Sequence, residues 1–170
     1  MKKLILGMLV LSLQLFGLQL GEIPSDVILD GKNGGKVDGS AWKSSMLSGK
    51  VHVLFYVDPD EKDANDAFGD ALKEAKFDKA NYSTVAVVNL AATWKPNIII
   101  EAVLKEKQKQ FPEAMYVKDK KKVLVKKWAL ADDASNIVVF GKDGKVLYFK
   151  NGKLDQSEIS KVIQLIKDNL

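Results

Sequence analysis

Apolar stretches of readable period alternate with short polar breaks along most of the chain. Val51-His52-Val53-Leu54-Phe55-Tyr56-Val57 is β-branched and aromatic with almost no polar interruption, the composition of a central strand covered on both faces. A helix start is expected next. Asp58 stands where an N-cap belongs, Pro59 suits the first helical position, and Glu61 sits where a capping box places its acid. Ala64, Ala67, Phe68, Ala71, Leu72 and Ala75 then recur mostly at three- and four-residue intervals, giving one apolar stripe to lay on a sheet. Thr84 to Leu90 predicts a second buried strand. Asn97 can cap a helix to about Gln110, with Ile100, Val103 and Leu104 facing inward and Phe111 closing its end.

Further along, Ala114 to Val117 and Val123 to Trp128 flank Lys118-Asp119-Lys120-Lys121-Lys122, a pattern that predicts a hairpin. Ile137-Val138-Val139-Phe140 and Val146-Leu147-Tyr148-Phe149 are joined across Lys142-Asp143-Gly144-Lys145, where Asp-Gly signals a tight turn between antiparallel strands. A final helix follows, with Asp155 and Glu158 as a capping box and a stripe of Ile159, Val162, Ile163, Ile166 and Leu170. Before all of this, Glu22 to Gly39 reads as an irregular or short-stranded lead-in. The order is β-α-β-α, an excursion, then β-β-α. That is the element order of the thioredoxin fold: an α/β domain whose central mixed sheet has helices on both faces, here with an extra hairpin before the last two strands.

The beginning of the chain sets the expected compartment. Met1-Lys2-Lys3 precedes an apolar run from Leu4 to Leu18 broken only by Gly7, Ser12, Gln14 and Gly17, the pattern of a secretory signal. A spanning helix needs about 20 apolar residues, so this shorter run is expected to be cleaved, and membrane contact ends with it. Gly17 and Gly21 are the two small residues that offer a cut. Residues 1–21 are taken as the signal peptide and 22–170 as a single domain, of ordinary size for one core, in the periplasm. The chain has no cysteine. Disulfides, lipidation and thiolate metal sites are thereby excluded. The formal charge of +4 falls to +2 once Lys2 and Lys3 leave, too mild to argue for nucleic acid.

Two segments carry a family resemblance. Leu47-Ser-Gly-Lys-Val-His-Val-Leu-Phe-Tyr56 resembles the first core strand of periplasmic redoxins and peroxiredoxin relatives, and Ile137-Val-Val-Phe-Gly-Lys-Asp-Gly-Lys-Val146 resembles their hairpin. Such redoxins carry catalytic cysteines directly after the strand, where this chain has Asp58-Pro59-Asp60-Glu61, and a cis-proline at about the position of Ser135. Both redox signatures are absent. Trp42-Lys-Ser-x-x-Leu47-x-Gly49-Lys50-Val51, Tyr82-Ser-Thr-x-x-Val-Val-Asn89, Phe111-Pro112 and Trp128-x-Leu130-x-x-Asp133-x-Ser135 together resemble the YtfJ family, with a departure in the shortened loop Ala91-Ala-Thr-Trp94-Lys-Pro96. The resemblance implies a periplasmic, cysteine-free thioredoxin-like protein. It also brings a label of transcriptional regulator, which an export signal argues against.

Three clusters invite chemical readings. Asp58, Asp60, Glu61, Asp63 and Asp66 place five carboxylates within nine residues, but no EF-hand spacing is present and helix-start acids are stabilising in their own right. No metal is assigned. His52, the only histidine, lies inside a core strand with no second catalytic group near it in sequence and reads as a core residue. The six lysines from Lys118 to Lys127 read as charge that protects an edge hairpin from pairing. Trp42 and Trp128 fit as core lids, whereas Trp94 stands among polar residues in a loop.

Loops at the carboxyl ends of parallel strands form the usual binding edge of such a sheet. Asp58, Asp60, Glu61, Asn89, Trp94 and Ser135 converge there and make up the candidate site. The expected function is a redox-inert binding or interaction module for a periplasmic protein or small ligand, with no catalytic residue and no cofactor. The rival readings are an enzyme with a non-thiol site at that edge and a regulatory protein.

Overall fold

A computed structural model describes residues 17–170; the Met1–Phe16 part of the expected leader lies outside the described residues. The lead-in supplies three short strands, β1 (Ile28–Leu29), β2 (Gly34–Lys36) and β3 (Trp42–Lys43). Then come β4 (Val51–Val57), α1 (Asp66–Ala75), β5 (Tyr82–Asn89), α2 (Asn97–Gln110), β6 (Met115–Asp119), α3 (Val123–Trp128), β7 (Ser135–Phe140), β8 (Val146–Asn151) and α4 (Gln156–Asn169). Six strands form one sheet in the order β2-β6-β5-β4-β7-β8, and β1 pairs with β3 outside it. The apolar run of β4 is central because strands cover both its edges, β5 in parallel and β7 antiparallel.

Side-chain alternation divides the core in two. Leu54, Tyr56, Val85, Val87, Val138 and Phe140 point to one face and pack with Trp42, Leu124 and Trp128. Trp42 and Trp128, both fully buried, meet edge to face with ring centroids 6.5 Å apart, a geometry aromatic pairs favour. Val51, Val53, Ile137 and Val139 point to the other face, onto Phe68 and Leu72 of α1 and Ile159, Val162 and Ile166 of α4. Register carries Phe55 to Ala86 and on to Tyr116, so the patch where Tyr116 and Val88 meet Ile100 and Leu104 of α2 lies on that second face. Two right-handed crossovers, β4-α1-β5 and β5-α2-β6, require this. The mixed sheet with helices on both faces is therefore as expected, and so are the Asp-Gly hairpin of β7 and β8 and the reciprocal Asp155–Glu158 capping box of α4.

Three local expectations are corrected. The lysine-rich excursion is no hairpin: β6 pairs in parallel with β5, and Val123–Trp128 is helical. Its edge is covered by β2 instead of being protected by charge. Gly34 makes that cover possible, because at φ +131° a Cβ there would stand 1.8 Å from the Lys118 carbonyl oxygen. Nor does a helix begin at Asp58. Residues 58–65 are irregular, mostly turns, and α1 starts at Asp66, so most of the five acids lie outside its first turn. Finally, α2 has the expected length, but Pro96 precedes it without a side-chain cap, and Val103 is half exposed while Ile100 and Leu104 are buried.

Candidate functional site

Strands β4, β5 and β6 end together, and β7 begins beside them, with Val57 opposite both Val88 and Ser135 and Asn89 opposite Asp119. The loops emerging there carry the residues expected from the sequence. Asp58 is buried; its backbone N–H donates to the Ala134 carbonyl, and its Oδ1 accepts from the Asp60 N–H at 2.8 Å. Asp60 in turn accepts from Thr93 Oγ1 at 2.8 Å and pairs with Lys95, bridging the loop after β4 to the loop after β5. The Lys95 ammonium, then the Thr93 hydroxyl, hold the Asp60 carboxyl below its ordinary value. Glu61 is exposed. Asn89 is buried and donates to Asp132 Oδ1 at 2.8 Å, and Asp132 also holds Lys122. Desolvation pushes the Asp132 carboxyl up, but hydrogen bonds from Lys122 and Asn89 outweigh it and the net shift is downward.

Ser135 is buried and held by Asn65. The Asn65 amide donates to Ser135 Oγ at 3.0 Å and to the carbonyls of Ser135 and Gly152 at 3.2 Å, while its oxygen accepts from the Leu154 N–H at 2.9 Å. One side chain thus ties α1, β7 and the approach to α4. Asn136 does the same for β4 and the loop before β7, donating to the Tyr56 and Ala131 carbonyls and accepting from the Ala131 N–H.

Sequence reasoning missed the most buried acid on this edge. Asp119 is fully buried; its Oδ2 accepts from Tyr56 Oη at 3.2 Å and the Leu124 N–H at 3.0 Å, and its Oδ1 from the Lys121 N–H at 3.0 Å. A carboxylate taken out of water survives only when its lone pairs are used, and here three donors use them. Burial, then the facing Asp119 carboxylate, push the Tyr56 hydroxyl far above its ordinary range. The available signal is the lone acid within a lysine run directly after an apolar strand. Among the described residues the one buried side-chain polar atom without a partner is Trp42 Nε1, in the core cluster. No three acids or histidines converge on a metal geometry among the described residues.

What the edge leaves unpaired is apolar. Trp94 is 86% exposed, and Ile98 (80%), Ile99 (58%) and Val103 (50%) follow it on the outward side of α2. Only its inward residues Ile100 and Leu104 reach the core. This leaves a ledge of large apolar side chains beside a seam of internally satisfied polar ones, and of the sequence-expected site only Trp94 belongs to the ledge. His52 is distant from both, buried near the start of β4 with Nδ1 3.0 Å from the Lys50 carbonyl oxygen.

Comparison with known proteins agrees with the fold. The exposed lipoprotein thioredoxin Etrx1 of Streptococcus pneumoniae strain TIGR4 superimposes with a TM-score of 0.58 at 18% identity, over 82% of this chain and 98% of that one, a likeness that shows the fold alone. The protein named uncharacterized protein YtfJ from Escherichia coli strain K12 is 30% identical over 129 residues, 74% of this chain and 70% of its own. An uncharacterized protein of Haemophilus influenzae is 29% identical over 144 residues, 83% of this chain and 77% of its own. Residues 25–169 match the family described as bacterial protein of unknown function, YtfJ_HI0045, and the chain belongs to that family.

Proposed function

We propose that this protein is exported to the periplasm and acts there as a redox-inert interaction module, with the ledge of Trp94, Ile98, Ile99 and Val103 as its contact surface. The observation that carries the reading is the 86% exposure of Trp94 at the head of three further exposed apolar side chains. Four large apolar side chains exposed within ten residues of chain are candidates for an interaction surface, and tryptophan is enriched among the residues that dominate binding energy. Thiol chemistry requires a thiolate, and the chain has no cysteine. The polar groups of the neighbouring seam already serve one another as donors and acceptors, which favours recognition over catalysis at this edge. The testing experiment is cross-linking in periplasmic extract with the mature domain, parent against Trp94→Ala/Ile98→Ser. Loss of the cross-linked species in a variant of unchanged melting temperature supports the reading; an unchanged profile removes the ledge as the contact surface.

A further inference from the structure

Two small residues, Gly17 and Gly21, offer places for the leader to be cut, and sequence alone does not choose between them. The need for a complete core in the product favours one of them. Leu18 is only 8% exposed and belongs to the same core cluster as Trp42, Trp128 and Val146. Its N–H donates to the Trp128 carbonyl at 3.2 Å. Three residues on, the Gly21 N–H donates to the Val146 carbonyl at 2.8 Å, and the Val146 N–H donates to the Glu22 carbonyl at 2.9 Å. These bonds fasten the segment to the start of β8, at the outer edge of the sheet. Residues 18–22 are thus a strap that closes one face of the core and pairs a strand edge.

We infer that the leader is removed at the Gly17–Leu18 bond; this rests on the proposed export. Cutting after Gly21 would discard a core leucine, open the cluster beside Trp128 and leave the Trp128 and Val146 carbonyls short of donors, and buried polar groups without partners are costly. Cutting after Gly17 keeps every one of these contacts. The new α-ammonium of Leu18 replaces an amide N–H facing the Trp128 carbonyl, and a charged donor makes the stronger bond. Gly17 then ends the leader with a small residue, as Gly21 also would, and the large Leu15 two positions before it departs from the small-x-small pattern of such sites just as Gln19 does before Gly21.

The test expresses the full chain, Met1 to Leu170, in a Gram-negative host and reads the amino terminus of the periplasmic product by sequencing and intact mass. The expected start is Leu18, with uncut precursor accumulating in Gly17→Gln and normal processing in Gly21→Gln. A start at Glu22, or a block in Gly21→Gln instead, overturns the inference while leaving export intact. Membrane-bound product starting at Met1 in the parent overturns export itself. Independently, Leu18→Ala in the processed protein is expected to lower the melting midpoint by about 5 °C or more, as loss of a buried leucine does. An unchanged midpoint means that the strap is no part of the core, and the argument for Gly17 falls with it.

Discussion

Two neighbouring regions of this molecule handle their side chains in opposite ways. At the carboxyl ends of β4, β5 and β6, Asp58, Asn65, Asn89, Asp119 and Asn136 are buried, and each has hydrogen-bond partners within the chain. One loop away, Trp94, Ile98, Ile99 and Val103 are large, apolar and exposed. In this chain the first of these edges is a set of cross-links between loops. Polar groups engaged this way specify a loop arrangement and are poorly placed to serve a ligand as well. Trp94 and its neighbours on α2 are among the large apolar side chains that the fold leaves in water.

Breaking the seam should have the largest effect. Asp119→Ala strands the buried Tyr56 hydroxyl and Leu124 N–H and frees the part-buried Lys121 N–H, and is expected to cost about 3 to 5 kcal/mol in urea unfolding. A cost below about 1 kcal/mol would mean that the seam is not structural. Asn65→Ala, which removes the tie to Ser135, Gly152 and Leu154, should cost about 2 to 4 kcal/mol on the same grounds. Tyr56→Phe removes one donor and leaves Asp119 its two backbone N–H groups, so about 1 kcal/mol is expected.

A pH titration sharpens the contrast between buried and exposed groups. Desolvation lowers the His52 pKa, with the Lys50 carbonyl only partly opposing it. Above about 6.5 the imidazole is neutral folded or unfolded. Below that, the unfolded chain takes up a proton that folded His52 resists, so stability falls with pH until folded His52 also titrates. Asp60 and Asp132 have lowered pKa values; their contribution is present above about 4 and is lost only at more acidic pH. As the sole histidine, His52 gives a single ring signal to follow by NMR, and a midpoint at or above 6.5 would contradict its burial.

The ledge should respond least in stability. Trp94→Ala and Ile98→Ser are expected to shift unfolding by no more than about 0.5 kcal/mol, since both side chains already stand in water. Truncating an interface hot spot, by contrast, weakens binding by about 2 kcal/mol or more, roughly thirtyfold in affinity. A large fall in melting temperature for Trp94→Ala would place that ring in the core and erase the distinction between the two regions.

Elements whose signals lie close together along the chain were legible from sequence: the β4 run, the Asp-Gly turn, the α4 capping box and stripe, and the absence of any thiol. Each rests on a period or on residues a few positions apart, which local geometry determines before the chain folds. Tertiary structure alone decided the rest. Lys118–Lys122 looked like a charged hairpin tip, yet β5 was available as a parallel partner and β2 as an edge cover. Asp58 looked like a helix cap, yet its loop is held to the loops before β7 and after β5, and α1 starts later. Asp119 meets Tyr56 across 63 residues of chain, and Val103 turned outward because α2 reaches the sheet only through Ile100 and Leu104. Whether a charge is buried or an apolar face left open depends on which distant surfaces come to cover it, and a local pattern carries no record of those surfaces.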